Sequence, residues 1–128
     1  MTEMTAKGRL ERARKQLARV QVAWLDPTDW SDLSMYGLYA LENAVVAAAE
    51  HLDVAWEKVH WKKADLAAKL HLDHDLPDVS DLLRELNELR KSEAYDEVAP
   101  SRHYSAEVIA VEIESYIEAV AAIMEGSG

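Results

Sequence analysis

A chain of 128 residues is the length of one domain, long enough to bury a core without covalent staples. The absence of cysteine excludes a disulfide framework, thiolate metal sites and cysteine nucleophiles, and it fits a reducing, cytoplasmic setting. The net charge of −10 is unevenly placed: residues 1–19 hold six Lys/Arg against Glu3 and Glu11, giving +4, and the remainder is −14.

An acidic body repels phosphate outside that basic segment, so extended non-specific binding to nucleic acid, and to DNA in particular, is not expected. The segment itself either lies against the acidic body or a partner subunit, or binds an anion. No apolar signal core opens the sequence, and the longest apolar run is broken by Glu42, Asn43, Glu50 and His51. A membrane span is therefore not expected. Phe is absent and Ala, Leu and Val dominate the apolar positions with few Gly and Pro, which favours helices.

Residues 8–25 place Leu10, Ala13, Leu17, Val20 and Trp24 at alternating spacings of three and four, the stripe of an amphipathic helix that Asp26-Pro27 ends. The linker DPTDWSD offers several N-caps, with Ser31, Asp32 and Ser34 nearest to a second helix that runs to about Ala55. Its sides, Tyr36, Tyr39, Asn43, Val46 and Glu50 on one and Leu38, Leu41, Val45 and Ala48 on another, both need cover, which predicts a central position. Small residues at Gly37, Ala44 and 47–49 permit close helix approach.

A third helix is predicted from about His60 to His71, with Ala64, Leu66, Ala67 and Leu70 inward and Lys62, Lys63, Asp65 and Lys69 mostly outward. The polar break HLDHDLPD closes it. Asp78 or Ser80 can cap a fourth helix whose stripe is Val79, Leu82, Leu83, Leu86 and Leu89, with Arg90 where another apolar residue would fit. After the loop DEVAPSRHY, Ser101 or Ser105 can cap a fifth helix with Ile109, Ile113, Tyr116, Ile117, Val120 and Ile123 or Met124 as its buried face. The expected fold is all-α, an up-and-down bundle of about five helices forming a single domain with its core over about 8–125.

Two polar features interrupt this pattern. Glu42-Asn43 sits in the middle of the most apolar helix, where an unpartnered carboxylate is costly. Arg90 ends an apolar stripe. Metal chemistry has little footing: Glu57-Lys58-Val59-His60 is a lone E-x-x-H at a helix junction, and His71 and His74 have no evident third ligand. Neither a metal nor another cofactor is expected, and no G-x-S-x-G or phosphate-cradling glycine loop is present. Trp24, Trp30, Trp56 and Trp61 flank helix ends, where filling gaps between helices competes with stacking on bases.

The helix order, the segments LYALENAVVAAAEHL and HWKKADLAAKL, and DVSDLLRELNELRKSEAYDE before a last amphipathic helix resemble HEPN-domain proteins of bacteria and archaea over roughly residues 8–125. The resemblance implies a homodimer whose cleft is built around an arginine at the end of the fourth helix, followed after four to six residues by a histidine. In nuclease members of that family these groups cleave RNA without metal: a guanidinium holds the phosphate and a histidine moves the ribose proton. Arg90 matches the arginine. Tyr95 stands where the histidine is expected, and tyrosine is a poor base at neutral pH.

The resemblance therefore implies a binding member better than a cleaving one, with Arg90 and Tyr95 at the catalytic position and Glu42, Asn43, Lys91 and Glu93 as cleft residues. Arg90 also has a structural role open to it, paired with Glu42, Glu93 or Asp96, and Glu42 is expected within reach of Arg90 or across a dimer from it. Implied partners are RNA, a nucleotide or a protein in the cleft and, through a toxin–antitoxin, defence or stress system, a nucleotidyltransferase antitoxin. A metal-independent ribonuclease and a structural adaptor of phage-like type are the alternatives.

Overall fold

The computed structural model describes residues 5–95 and 103–126, with Ala94 and Tyr95 described in backbone only. Five α-helices form an all-α bundle: α1 (Ala6–Ala23), α2 (Trp30–His51), α3 (His60–His74), α4 (Ser80–Tyr95) and α5 (Ala106–Gly126). There is no strand among the described residues. Element order and number follow the predicted ones, and the differences lie at the ends, where side-chain caps decide.

Thr5 starts α1 ahead of the predicted residue by accepting the Gly8 N–H at 3.0 Å, and Trp24 closes it with its N–H on the Val20 carbonyl. Asp29, rather than Ser31, Asp32 or Ser34, caps α2, accepting the Asp32 N–H at 3.0 Å. That helix stops at His51, short of Ala55, and Asp53 turns the chain at φ 60°. In contrast, α3 runs past His71 to His74 and ends on Asp75 in the left-handed conformation, so both histidines stand on its last turn. Asp78 accepts from the Ser80 N–H at 3.0 Å and its hydroxyl at 2.7 Å ahead of α4, and these bonds hold the Asp78 carboxyl below its ordinary pKa. Ser105 accepts the Val108 N–H to open α5; Ser101 lies outside the described residues.

The α2 helix is central, as its two apolar sides require. Leu33, Leu38 and Leu41 are sealed from solvent, each contributing about 2 kcal/mol through burial. Gly37 lets α4 and α5 approach: a Cβ there would stand 3.3 Å from Ile113 Cδ1 and 3.5 Å from Leu86 Cδ2. The face of α5 is the predicted one, with Ile109, Ile113, Tyr116, Ile117 and Val120 buried, while Ile123 and Met124 pack at its edge. The Tyr116 hydroxyl is buried without a hydrogen-bond partner among the described residues, and burial pushes its pKa up. Trp24, Trp30 and Trp56 pack against the core, whereas Trp61 is exposed. Among the described residues no helix is long and apolar enough to cross a membrane.

Two clasps fix α1 antiparallel to α2. Arg9 pairs with Glu50, and two turns along, Asn43 Nδ2 donates to Gln16 Oε1 at 2.8 Å. Arg14 bonds Glu118 of α5 at 2.7 Å on the other side. Part of the basic helix is thus spent on the acidic body, though not all of it.

Candidate functional site

The start of α1, clasped residues included, faces a groove of about 770 Å³ where α1, α2, the 52–59 connection and the first turn of α3 meet. The start of α1 contributes Arg9, Arg12 and Gln16; α2 contributes Tyr39, Glu42, Asn43 and Val46. The connection brings Trp56 and Lys58, and α3 adds His60 and Lys63, which share a helix face at i, i+3. Four fixed cations therefore surround one lining carboxylate, in a chain whose net charge is −10.

Glu42 organises the floor. It is only 4% exposed, and each oxygen has its own partner: Oε2 lies 2.5 Å from His60 Nδ1 and Oε1 3.6 Å from Lys63 Nζ. Buried charge is tolerated where it is paired and hydrogen-bonded in this way. With Nδ1 donating to a carboxylate, Nε2 is the ring nitrogen left for proton transfer or ligand contact. The Tyr39 ring stacks with that imidazole at a centroid distance of 6.5 Å and 21° between planes.

The cations differ in their freedom. Arg9 is held by Glu50 and lies over the Trp56 ring at 4.8 Å, and Lys63 is shared with Glu42. Arg12 and Lys58 make no ion pair or hydrogen bond among the described residues. Two uncompensated cations beside aromatic rings and amides form a surface suited to a phosphate-bearing ligand.

The structure divides the residues that the sequence grouped together. Glu42 and Asn43 line the groove, but within the chain Glu42 is engaged by His60 and Lys63, not by Arg90. Lys63, expected to point outward, turns in to reach that carboxylate. Arg90 on α4 donates from Nη2 to Asn87 Oδ1 at 3.0 Å, and its Nε is buried without a partner among the described residues. Lys91 pairs with Glu88 at 3.8 Å, and Glu93 is exposed. The Tyr95 side chain and Asp96 lie outside the described residues.

A second acidic centre was not anticipated. Glu85 of α4 is 8% exposed and accepts the His103 N–H at 3.0 and 3.1 Å, faces His103 Nδ1 at 2.6 Å, and accepts the Tyr104 N–H at 3.2 Å. It fastens the chain entering α5 to α4. Burial first, then Asp81 and Glu85, raises the Tyr104 pKa. His71 Nδ1 lies 2.8 Å from the Leu76 carbonyl, a bond that closes α3, and no group of three or more His, Asp or Glu placed to hold a metal ion occurs among the described residues.

The groove residues missed in the sequence, Arg9, Arg12, Gln16, Lys58 and Lys63, come from three separate segments. The usable signals were the basic first helix and His60 placed just where a helix begins beside a buried glutamate. No family model, curated protein or solved structure matches the chain.

Proposed function

We propose that the protein is a HEPN-like helical bundle that binds a phosphate-bearing ligand, RNA or a nucleotide, in the groove between α1, α2 and α3, acting in the cytoplasm in a toxin–antitoxin, defence or stress system. One observation carries the binding role: Arg12 and Lys58 make no ion pair among the described residues and line a groove together with aromatic rings and amides, on an otherwise acidic molecule. Guanidinium and ammonium groups so placed bind phosphate, and rings beside them accept a base of any identity. The acidic body confines that contact to the groove.

The test is fluorescence anisotropy with a labelled short oligoribonucleotide. An Arg12→Ala/Lys58→Ala double variant is expected to bind about tenfold more weakly, with the salt slope reduced by about 0.7 for each phosphate no longer neutralised. Unchanged affinity and slope in that variant, or no binding by the parent protein, would remove the proposal and leave a structural adaptor.

A second function, metal-independent RNA cleavage, is favoured by one feature: His60 held by the buried Glu42 within the same cationic groove. An imidazole oriented by a carboxylate can take the proton of a ribose hydroxyl. Incubation of structured and unstructured RNAs with excess protein, with and without EDTA, decides it; intact RNA throughout eliminates cleavage. A homodimer is part of the proposal, and sedimentation showing monomer alone at micromolar concentration would remove that part.

A further inference from the structure

We infer that two copies of the chain meet through the face that α1 and α5 share, about a two-fold axis running along the helices, so that α1 of each copy lies on α5 of the other. The inference rests on the homodimer of the reading above and gives it a face; phosphate binding in the groove stands or falls separately. Of the seven large apolar side chains exposed among the described residues, Val59, Trp61 and Leu72 belong to α3 and the turn before it. The other four gather elsewhere: Val22 and Leu25 at the end of α1, Val108 and Val111 at the start of α5.

The antiparallel packing of α1 and α5 fixes how these residues are placed. Arg14 bonds Glu118, and Lys7 and Glu125 line one hollow further along the same seam. From the Arg14–Glu118 bond, eight residues along α1 lead to Val22 and seven back along α5 lead to Val111, so the two valines stand within about 2 Å of one level. Arg14, Ala18 and Val22 repeat at every fourth residue on one side of α1, and Glu118, Ser115, Val111 and Val108 repeat at three and four on the adjoining side of α5. All of them are exposed, Val22 at 70% and Val111 at 53%. Small side chains at Ala18 and Ser115 let a further helix come close.

A second copy is the occupant because the face is its own complement. Lys7, Arg14 and Lys15 lie along the exposed side of α1 and Glu114, Glu118 and Glu125 along that of α5; apart from the Arg14–Glu118 bond, none of these charges is paired among the described residues. A half-turn about an axis between the two helices sets each α1 on the α5 of the other copy in the register that they already hold within one chain. Val22 then covers Val111 of the other copy, and the basic start of α1 meets the acidic end of α5. Glu11, the one carboxylate of α1, falls opposite Ala122. The groove opens on a different side of α1, at Arg9, Arg12 and Gln16, and stays free in the dimer.

The experiment is sedimentation equilibrium of the full chain across the micromolar range, where the parent is expected to dimerise. Val22→Lys and Val111→Asp, each checked by circular dichroism for an intact fold, should each weaken the dimer about tenfold or more, because each buries a charge against a valine. Combined in one chain they set lysine opposite aspartate across the axis, and the dimer should regain most of that loss; no regain overturns the axis. Lys7→Glu/Lys15→Glu replaces a single variant that fails to fold and should weaken the dimer by repulsion, most strongly at low salt. A parent that sediments as monomer overturns the face and the homodimer together. A dimer unchanged in every variant overturns the face alone and leaves the homodimer to another surface. Oligoribonucleotide affinity in Val111→Asp should equal that of the parent, and a loss would overturn the separation of groove from interface.

Discussion

Replacing Glu42 with Gln keeps the shape of the side chain and removes its charge, so it isolates what the buried carboxylate does for the junction of α2 and α3. Losing one partner of a fully buried pair costs about 3–5 kcal/mol. Here the Lys63 side chain is 15% exposed and that of His60 37%, so both can turn partly to water, and screening reduces the penalty to about 2 kcal/mol. For 128 residues the unfolding entropy near the midpoint is about 0.27 kcal/mol/K, which makes the expected loss about 7 °C in Tm. Thermal melts followed by far-ultraviolet circular dichroism read this directly. Lys63→Met should cost less in the Glu42→Gln background than in the parent, giving a coupling of about 1 kcal/mol. A Glu42→Gln protein melting with the parent, or strictly additive effects in the double variant, would refute the claim that this carboxylate ties α3 to α2.

Glu85→Ala strips the acceptors from the His103 and Tyr104 amides and is expected to cost about 2–3 kcal/mol in urea denaturation, with faster hydrogen exchange at those two amides; protection equal to the parent would contradict the latch. Tyr116→Phe removes an unpartnered buried hydroxyl and should leave stability within about 0.5 kcal/mol of the parent or above it, whereas a loss beyond about 2 kcal/mol would mean the hydroxyl is bonded. Because folding raises the Tyr116 pKa above its ordinary value of about 10, the stability linked to it is fully present below that pH and is lost as pH rises past it, a loss that titrated melts should find reduced in Tyr116→Phe. Gly37→Leu drives a branched side chain into Ile113 and Leu86 and should cost about 2–3 kcal/mol by chemical denaturation; a neutral result would show that the crossing is looser than the 3.3 Å approach implies.

The architecture was legible in the sequence because helical periodicity and turn residues are local. Leu10, Leu17 and Val20 define one stripe, Ile109, Ile113 and Ile117 another, and both are buried. Helix ends were less legible, since Thr5 and Asp29 compete for them with several neighbouring residues that could form the same bond. The burial of Glu42 was readable from its apolar surroundings, but its partner was not. Arg90 is prominent in the pattern of α4, whereas His60 and Lys63 reach Glu42 only because the 52–59 connection delivers α3 to that turn of α2. Glu85 went unnoticed because an acidic residue on an amphipathic helix reads as solvated until the segment at His103 folds back over it.

The clasps between α1 and α2 have a consequence for how the chain finds its alignment. The surface that α2 offers at Ala44, Ala47 and Ala48 is smooth, and smooth surfaces let a helix slide with little change in apolar contact. Arg9–Glu50 and Gln16–Asn43 stand seven residues apart on each helix, like two teeth of a vernier. A slide of two turns would set Arg9 against Asn43 or Gln16 against Glu50 and leave the other tooth of each helix unmatched. Arg9, Gln16 and Asn43, which border the groove, thus also select, among near-equivalent alignments, the one in which the groove exists.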